Sequence, residues 1–199
     1  MESTETGRRE ASTDRRIRKT RAALKKALTT LMQQKQVKDI SVRELTDLAD
    51  VNRGTFYLHY KDVFDLLEQS EDDILEELHE TVSKYDEAAL KENPILIFEG
   101  IYNLCRDNAD FVNILIGENG DIKFLRKLEH LVRERCLNEW SFIMKNQDPD
   151  QFDIYYAFIA GGCISVLQYW FRSGMQETPH ELAMITGKIL HSGLSMSSN

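Results

Sequence analysis

Two arginines and several aromatic residues lie together in one short segment of this 199-residue chain, residues 41–61. The guanidinium groups of Arg43 and Arg53 are of the type that forms paired hydrogen bonds with guanine O6 and N7. These residue types indicate an interface for a nucleic acid.

The charge of the chain is divided unevenly between its two parts. The net charge is −8, but residues 1–60 contain 13 Lys and Arg against 8 Asp and Glu, a net charge of +5. Residues 61–199 carry the opposite sign, −13. A basic segment joined to an acidic body indicates that only one end of the protein meets a polyanion.

Residues 41–61 have the pattern of two short helices joined by a tight turn. Ser41-Val42-Arg43-Glu44 matches a capping box, in which Ser41 accepts from the Glu44 amide and the Glu44 side chain reaches back. Asn52 is a favourable N-cap for the second, aromatic helix. With a basic helix from about Thr13 in front, this predicts a tri-helical helix-turn-helix. The apolar residues predicted to form its core are Val42, Leu45, Leu48, Val51, Phe56 and Leu58.

Helical periodicity continues beyond this segment, and no stretch has a convincing strand pattern. We predict an all-α fold of about nine helices, with an N-terminal three-helix DNA-binding domain and a larger C-terminal helical bundle. Residues 1–12 are polar and aperiodic, and we expect a disordered arm there. Residues 13–61 form the predicted helix-turn-helix domain, and residues 62–199 form the predicted dimerisation and effector domain.

Signatures of catalysis are missing from the sequence. It contains no G-x-S-x-G, no H-E-x-x-H and no phosphate-binding glycine loop. The five histidines are scattered, and carboxylate pairs such as Glu76-Glu77 are typical of solvated helix surfaces. Cys105, Cys136 and Cys163 are far apart, which favours reduced thiols. We therefore predict no catalytic residue, no metal site, no cofactor and no enzymatic activity.

The stretch Val51-Asn52-Arg53-Gly54-Thr55-Phe56-Tyr57-Leu58-His59-Tyr60 resembles the recognition-helix pattern of the TetR family of bacterial regulators. The preceding Ser-Val-Arg-Glu-Leu also fits the family, and the resemblance covers about Thr13 to Leu67. It implies a homodimer that binds a palindromic operator in double-stranded DNA. The positions that it implies for DNA contact are Lys19, Arg21, Arg43, Asn52, Arg53, Gly54, Thr55, Tyr57, His59, Tyr60 and Lys61.

These implied contacts have different roles. Arg43, Arg53 and Thr55 match base-reading positions. The residues that match positions holding the DNA backbone are Tyr57, His59, Tyr60 and Lys61, with Lys19 and Arg21 as further phosphate contacts. One position departs from the pattern, because Val63 stands where the family usually has a lysine aimed at a phosphate. Either Lys61 substitutes for that lysine, or binding is weaker there.

A second informative segment, residues 155–164, is apolar on nearly all faces and contains two adjacent glycines. A core helix of the bundle is one interpretation. The other is a dimer interface formed with the last helix, which the TetR resemblance favours. A two-fold axis then sets two recognition helices about 34–36 Å apart on DNA. The predicted interface residues are Tyr156, Ile159, Gly162, Cys163, Val166, Trp170, Leu182, Ile185 and Ile189.

The resemblance also implies a small-molecule effector, held among the C-terminal helices, whose binding releases DNA. The predicted lining residues are Phe98, Tyr102, Phe111, Leu128 and Phe158. A repressor released by such an effector is the leading interpretation. The alternatives are a regulator or activator controlled by a protein partner through the C-terminal domain, and a helical adaptor or enzyme whose first 60 residues are structural only.

The location of the protein is predicted from its apolar segments. Residues 1–13 lack the apolar core of a signal peptide, and no apolar run approaches the roughly 20 residues that span a bilayer. We therefore expect a cytoplasmic protein without a membrane partner.

Overall fold

The computed structural model describes residues 2–93, 95–117, 120–138 and 152–195. Within these ranges the chain forms ten α-helices and a short 3-10 helix and contains no strand, which confirms the all-α prediction. The chain divides into two compact units, Met1–Asp72 and Asp73–Asn199. The division falls later than the predicted boundary after residue 61, because one helix, Val63–Ser83, belongs to both units.

The first unit contains the helix-turn-helix. Its elements are α1 (Glu2–Met32), the 3-10 helix (Val37–Asp39), α2 (Val42–Ala49), α3 (Arg53–Tyr57) and the start of α4 (Val63–Ser83). α1 packs against α2, and α2 packs against α3. The buried residues that hold these helices together are Leu24, Leu28, Leu31, Ile40, Leu45, Phe56, Tyr60, Val63 and Leu66.

Two features of this unit differ from the sequence-based expectations. α1 begins at Glu2, whereas the sequence predicts a disordered arm over residues 1–12. Extending a helix that is already nucleated is easier than starting one, so a polar segment can continue it. Leu48 and Leu58, predicted in the core, are 51% and 80% exposed.

Thr46 and Tyr60, which were not predicted in this core, are buried. On α2, Thr46 is buried as well as Leu45, and its hydroxyl donates to the Val42 and Arg43 carbonyls at 2.8 and 3.0 Å. A hydroxyl satisfied within its own helix can be buried at little cost. After α3 the chain turns, and Tyr60 rather than Leu58 enters the core.

The second unit contains the remaining helices. After α4 these are α5 (Glu87–Glu92), α6 (Ile95–Asp107), α7 (Ala109–Ile116), α8 (Ile122–Asn138), α9 (Phe152–Arg172) and α10 (Pro179–Ser195). The nine-helix prediction missed α5, which is too short for helical periodicity to reveal. The predicted end of α8 near Lys145 and the predicted start of α9 at Asp148 lie outside the described residues.

α6 and α10 form the most extensive helix packing in this unit. The Tyr102 ring lies beside the fully buried Trp170 at 6.0 Å, and the Tyr102 and Thr186 hydroxyls share a hydrogen bond of 2.8 Å. Gly187 permits this approach, because a Cβ there would meet Ile95 Cγ1 at 3.1 Å. A second cluster of Leu78, Val82, Leu90 and Ile97 packs where α4, α5 and α6 meet.

Candidate nucleic-acid interface

The start of α2 has half of the predicted capping box. The Glu44 amide donates to Ser41 Oγ at 3.2 Å, which confirms Ser41 as the N-cap. The Glu44 carboxylate does not complete the box, because both of its oxygens lie 2.6 Å from Lys35 Nζ. A charge-assisted bond to an ammonium is stronger than a bond to a neutral amide. This ion pair attaches the segment before the 3-10 helix to the first turn of α2.

The turn between α2 and α3 reverses the chain in a few residues. Asp50 adopts a left-handed conformation with φ of 51°, which Asp tolerates better than most residues. The Val51 amide then donates to the Thr46 carbonyl at 3.0 Å and satisfies the end of α2. This turn fixes the direction in which α3 begins.

Asn52 is the N-cap of α3, since its Oδ1 accepts from the Gly54 amide at 2.7 Å. A Cβ on Gly54 would lie 3.0 Å from that same oxygen, so the glycine leaves room for the cap. Both residues are exposed and were predicted to contact DNA. The contacts seen here give each of them a local structural role.

The exposed surface of α3 is formed by a paired arginine and tyrosine. The Arg53 Nη2 group donates to the Tyr57 hydroxyl at 3.2 Å, and Arg53 Cζ lies 5.6 Å from the Tyr57 ring centroid. Tyr57 is 50% exposed. Thr55, on the same short helix, is half-buried.

Arg43 is the predicted base reader on α2. Its side chain is 84% exposed, and its Nε lies 3.7 Å from Asp47 Oδ2. The two predicted arginine readers therefore differ, because one is opposed by a carboxylate and the other stacks on a neutral ring.

Two residues predicted to hold the DNA backbone are tied into the unit instead. Tyr60 is 4% exposed, and its hydroxyl accepts from Arg21 Nε at 3.1 Å. Arg21 also donates to Gln69 Oε1 at 3.4 Å, so its guanidinium links α1, the end of α3 and α4. The predicted phosphate contacts that stay exposed at this end of the unit are Lys19 and Lys61, while His59 is half-buried.

At the start of α4, Val63 stands where the TetR resemblance implies a lysine. Val63 is 4% exposed and belongs to the core. The carboxylates of Asp62 and Asp65 accept from the Asp65 and Lys61 amides at 2.9 and 2.8 Å. The Lys61 amide, followed by the Gln69 side chain, lowers the pKa of Asp65. Backbone donors at this helix start are thus occupied by the protein's own carboxylates.

The five residues predicted to line an effector pocket lie in different surroundings. Phe98 and Leu128 both pack against the Leu78–Ile97 cluster. Tyr102 and Phe111 are buried, with 1% and 3% exposure. Phe158 is 77% exposed, so its assignment to a pocket is wrong.

The residues of the predicted dimer interface on α9 and α10 differ in exposure. Trp170 is fully buried, and its indole N–H donates to the Glu177 carbonyl at 2.9 Å. On α10, Leu182 is also buried, whereas Ile185 and Ile189 are 47% and 57% exposed. Of the other predicted residues, Gly162 is exposed, and the half-buried ones are Tyr156, Ile159, Cys163 and Val166.

The exposed face of α9 is apolar and rich in small residues. Ile154, Phe158 and Tyr169 are 72%, 77% and 59% exposed, and their spacing places them on one side of the helix. A Cβ on Gly161 or Gly162 would meet no atom within 4 Å. We name this surface, residues 154, 158, 161, 162, 165 and 169, the α9 outer face.

α9 also meets the length and composition of a membrane-spanning helix. It has 21 residues, and its most apolar stretch of 18 residues has a mean hydropathy of 1.3. Only 6% of that stretch is buried inside the protein. The sequence-based expectation that no apolar segment reaches this length is therefore wrong. Length and composition do not separate a spanning helix from one whose apolar face meets another protein chain.

Both described thiols are protonated at neutral pH, although Cys105 is buried and Cys163 is half-buried. Burial raises the pKa of Cys105 to about 12 and that of Cys163 to about 11. A thiol in this state is a weak nucleophile and a weak metal ligand. In the described ranges, no three His, Cys, Asp or Glu side chains come together as a candidate metal site.

An exposed, capped recognition helix on a tri-helical unit, joined to a larger helical unit, defines a helix-turn-helix regulator. Residues 92–192, just over half of the chain, match the family model TetR_C_8, described as a transcriptional regulator C-terminal region. The chain belongs to the TetR family of transcriptional regulators.

A curated relative carries a matching description. It is YxbF of Bacillus subtilis (strain 168), an uncharacterized HTH-type transcriptional regulator, 22% identical over 166 residues. The match covers 81% of this chain and 42% of YxbF, so the chain spans less than half the length of that relative.

Two solved structures share the fold. FadR from Bacillus subtilis, in complex with stearoyl-CoA, has 15% identity and a TM-score of 0.59, covering 86% of this chain and 98% of FadR. The dihydroxyacetone kinase operon activator DhaS has 17% identity and a TM-score of 0.59, covering 89% of this chain and 97% of DhaS. At these identities the similarity establishes the all-α architecture.

Proposed function

We propose that this TetR-family regulator binds a palindromic operator as a homodimer in the cytoplasm and acts as a repressor. The observation that carries the DNA-binding part is the α3 surface, where Arg53 and Tyr57 are exposed on a helix capped by Asn52. The net charge of +5 on residues 1–60 supports it, since phosphate attraction supplies much of the affinity for DNA.

The α9 outer face supports the homodimer. Large apolar side chains on one exposed face mark a surface that associates with another protein. Gly161 and Gly162 leave open space at its middle, where a second copy of α9 can cross closely. The opposite side of α9 is packed inside the protein through Leu167 and Trp170, so a partner chain fits this one-sided surface better than surrounding lipid does.

Release by a small-molecule effector is the second part of the proposal. FadR, which shares the fold, binds stearoyl-CoA, and a comparable site in the second unit of this chain would lie near the cluster that includes Phe98 and Leu128. Phe158 is no longer part of the proposed site.

Control by a protein partner is the competing candidate. The net charge of −13 on residues 61–199 favours it, because a strongly acidic surface attracts a basic partner. DhaS, which has the same fold, is named as an operon activator, so this architecture is not restricted to repressors.

Selection of genomic DNA fragments with the purified protein tests the proposed function. We expect enrichment of a palindrome whose half-sites are about 10 bp apart or a multiple of this. Enrichment of single half-sites would contradict the dimer, and no enrichment would contradict DNA reading. Adding stearoyl-CoA to the bound complex tests the effector, because DNA release supports a ligand of that class, whereas retention excludes it.

A further inference from the structure

Arg53 and Tyr57 lie one helical turn apart on α3 and act as a unit. The guanidinium lies over the tyrosine ring, with 5.6 Å from Cζ to the centroid, and donates to the tyrosine hydroxyl at 3.2 Å. The first distance lies within the range in which a cation is attracted to the face of an aromatic ring. Both contacts restrict the rotamers of an otherwise exposed arginine.

The tyrosine ring is itself held from below. It packs edge-to-face on Phe56, with 5.4 Å between centroids and an interplanar angle of 83°. Phe56 is fully buried. A rigid line of contacts thus runs from the core through the Tyr57 ring to the Arg53 guanidinium.

The other predicted reader is held differently. Arg43 faces the Asp47 carboxylate at 3.7 Å, a group that competes for the guanidinium and repels nearby phosphates. The neutral phenol of Tyr57 neither neutralises the guanidinium nor repels phosphates. Within the described part of the chain, no carboxylate is paired with Arg53. Arginine has five N–H donors. One is used by Tyr57, and the others suffice for the paired contact with guanine O6 and N7.

We propose that Tyr57 is a positioning residue that holds Arg53 in its reading orientation, and so determines specificity for guanine at the base pair that Arg53 contacts. This inference rests on the proposed DNA-binding function. It differs from the role that the family resemblance implies for Tyr57, which is to bind a phosphate.

A double-mutant cycle on the selected operator tests this proposal. The proteins are wild type, Arg53→Ala, Tyr57→Leu and the double variant, with Tyr57→Phe retaining the ring. Each is measured on the operator and on the same DNA with the guanine replaced. We expect Tyr57→Leu to reduce discrimination between the two DNAs about tenfold, with little further loss when Arg53 is already Ala. Tyr57→Phe should retain most of the discrimination, and Leu58→Ala, an exposed neighbour, should retain all of it.

The proposal is overturned if Tyr57→Leu weakens binding to both DNAs equally and its effect adds to that of Arg53→Ala. That result would identify Tyr57 as an independent backbone contact. Circular dichroism of each variant shows whether α3 and its unit remain folded. If Tyr57→Leu unfolds the unit, Tyr57→Gln replaces it in the cycle, because glutamine also removes the ring and is a good helix former. A wild-type protein that does not discriminate between the two DNAs would overturn the proposed function itself.

Discussion

The exposed surfaces of α3 and α9 are built in opposite ways. α3 has five residues, and its outward side chains are polar groups oriented by a cap, an aromatic ring and each other. α9 has 21 residues, and its outer face exposes large apolar groups around two glycines. A pre-oriented polar surface suits an anionic partner, because each hydrogen bond to a charged group requires a defined geometry. An apolar face is stabilised by burial, which is not directional. The two units thus present surfaces for two different kinds of partner.

The largest expected effect is the loss of stability when a side chain on the buried side of α9 is removed. Trp170→Ala removes a fully buried side chain and its bond to the Glu177 carbonyl, so we expect the free energy of unfolding to fall by about 3–5 kcal/mol. Urea denaturation measures this change. Ile122→Ala, at a site 66% exposed on α8, is the control, with an expected change within about 0.5 kcal/mol. Similar losses in both variants would contradict the assignment of Trp170 to the core.

A charge on the outer face tests what covers it. Phe158→Glu replaces an aromatic residue whose burial is worth about 1.5–3 kcal/mol in each protomer, so the dimer dissociation constant should rise at least tenfold. Sedimentation at several concentrations measures the constant, and Ile122→Glu is the matched control. A dimer that survives Phe158→Glu but not Ile122→Glu would place the interface elsewhere.

Removal of the α3 cap tests whether Asn52 is structural or contacts DNA. Asn52→Ala should lower the free energy of unfolding by about 1 kcal/mol, because the Gly54 amide loses its acceptor. Asn52→Ser retains an acceptor and should restore most of that stability. If Asn52→Ser is stable but loses operator affinity by tenfold or more, Asn52 has a direct role on DNA that its capping contact does not show.

The smallest effect concerns the start of α4. The lowered pKa of Asp65 means that its contribution to stability is complete above the unfolded pKa of about 3.9 and is lost as pH falls through the lower folded value. The stability difference between wild type and Asp65→Asn should be constant from pH 5 to 8 and shrink below about pH 4. Thermal melting across this range measures it, and a difference that grows toward acid would contradict the assigned contact.

The helix-turn-helix could be predicted from the sequence because local spacing determines its caps. Ser41 and Asn52 act on amides two or three residues away, and such short-range chemistry is visible in the chain itself. The role of Tyr60 could not be predicted, since its hydroxyl partner, Arg21, is 39 residues distant. The buried side of α9 could not be predicted because the helix is apolar nearly all round, and long-range contacts such as that of Trp170 with Tyr102 determine which side is packed.

The most direct test of the central claim, that residues 41–61 read DNA, is operator affinity measured across a range of salt concentrations. Arg53→Ala should weaken the selected operator by about 1–3 kcal/mol and leave unrelated DNA nearly unaffected. Lys61→Ala should weaken all sequences alike and reduce the salt dependence by about one counterion. Unchanged binding in both variants, or affinity that does not fall with salt, would contradict the account.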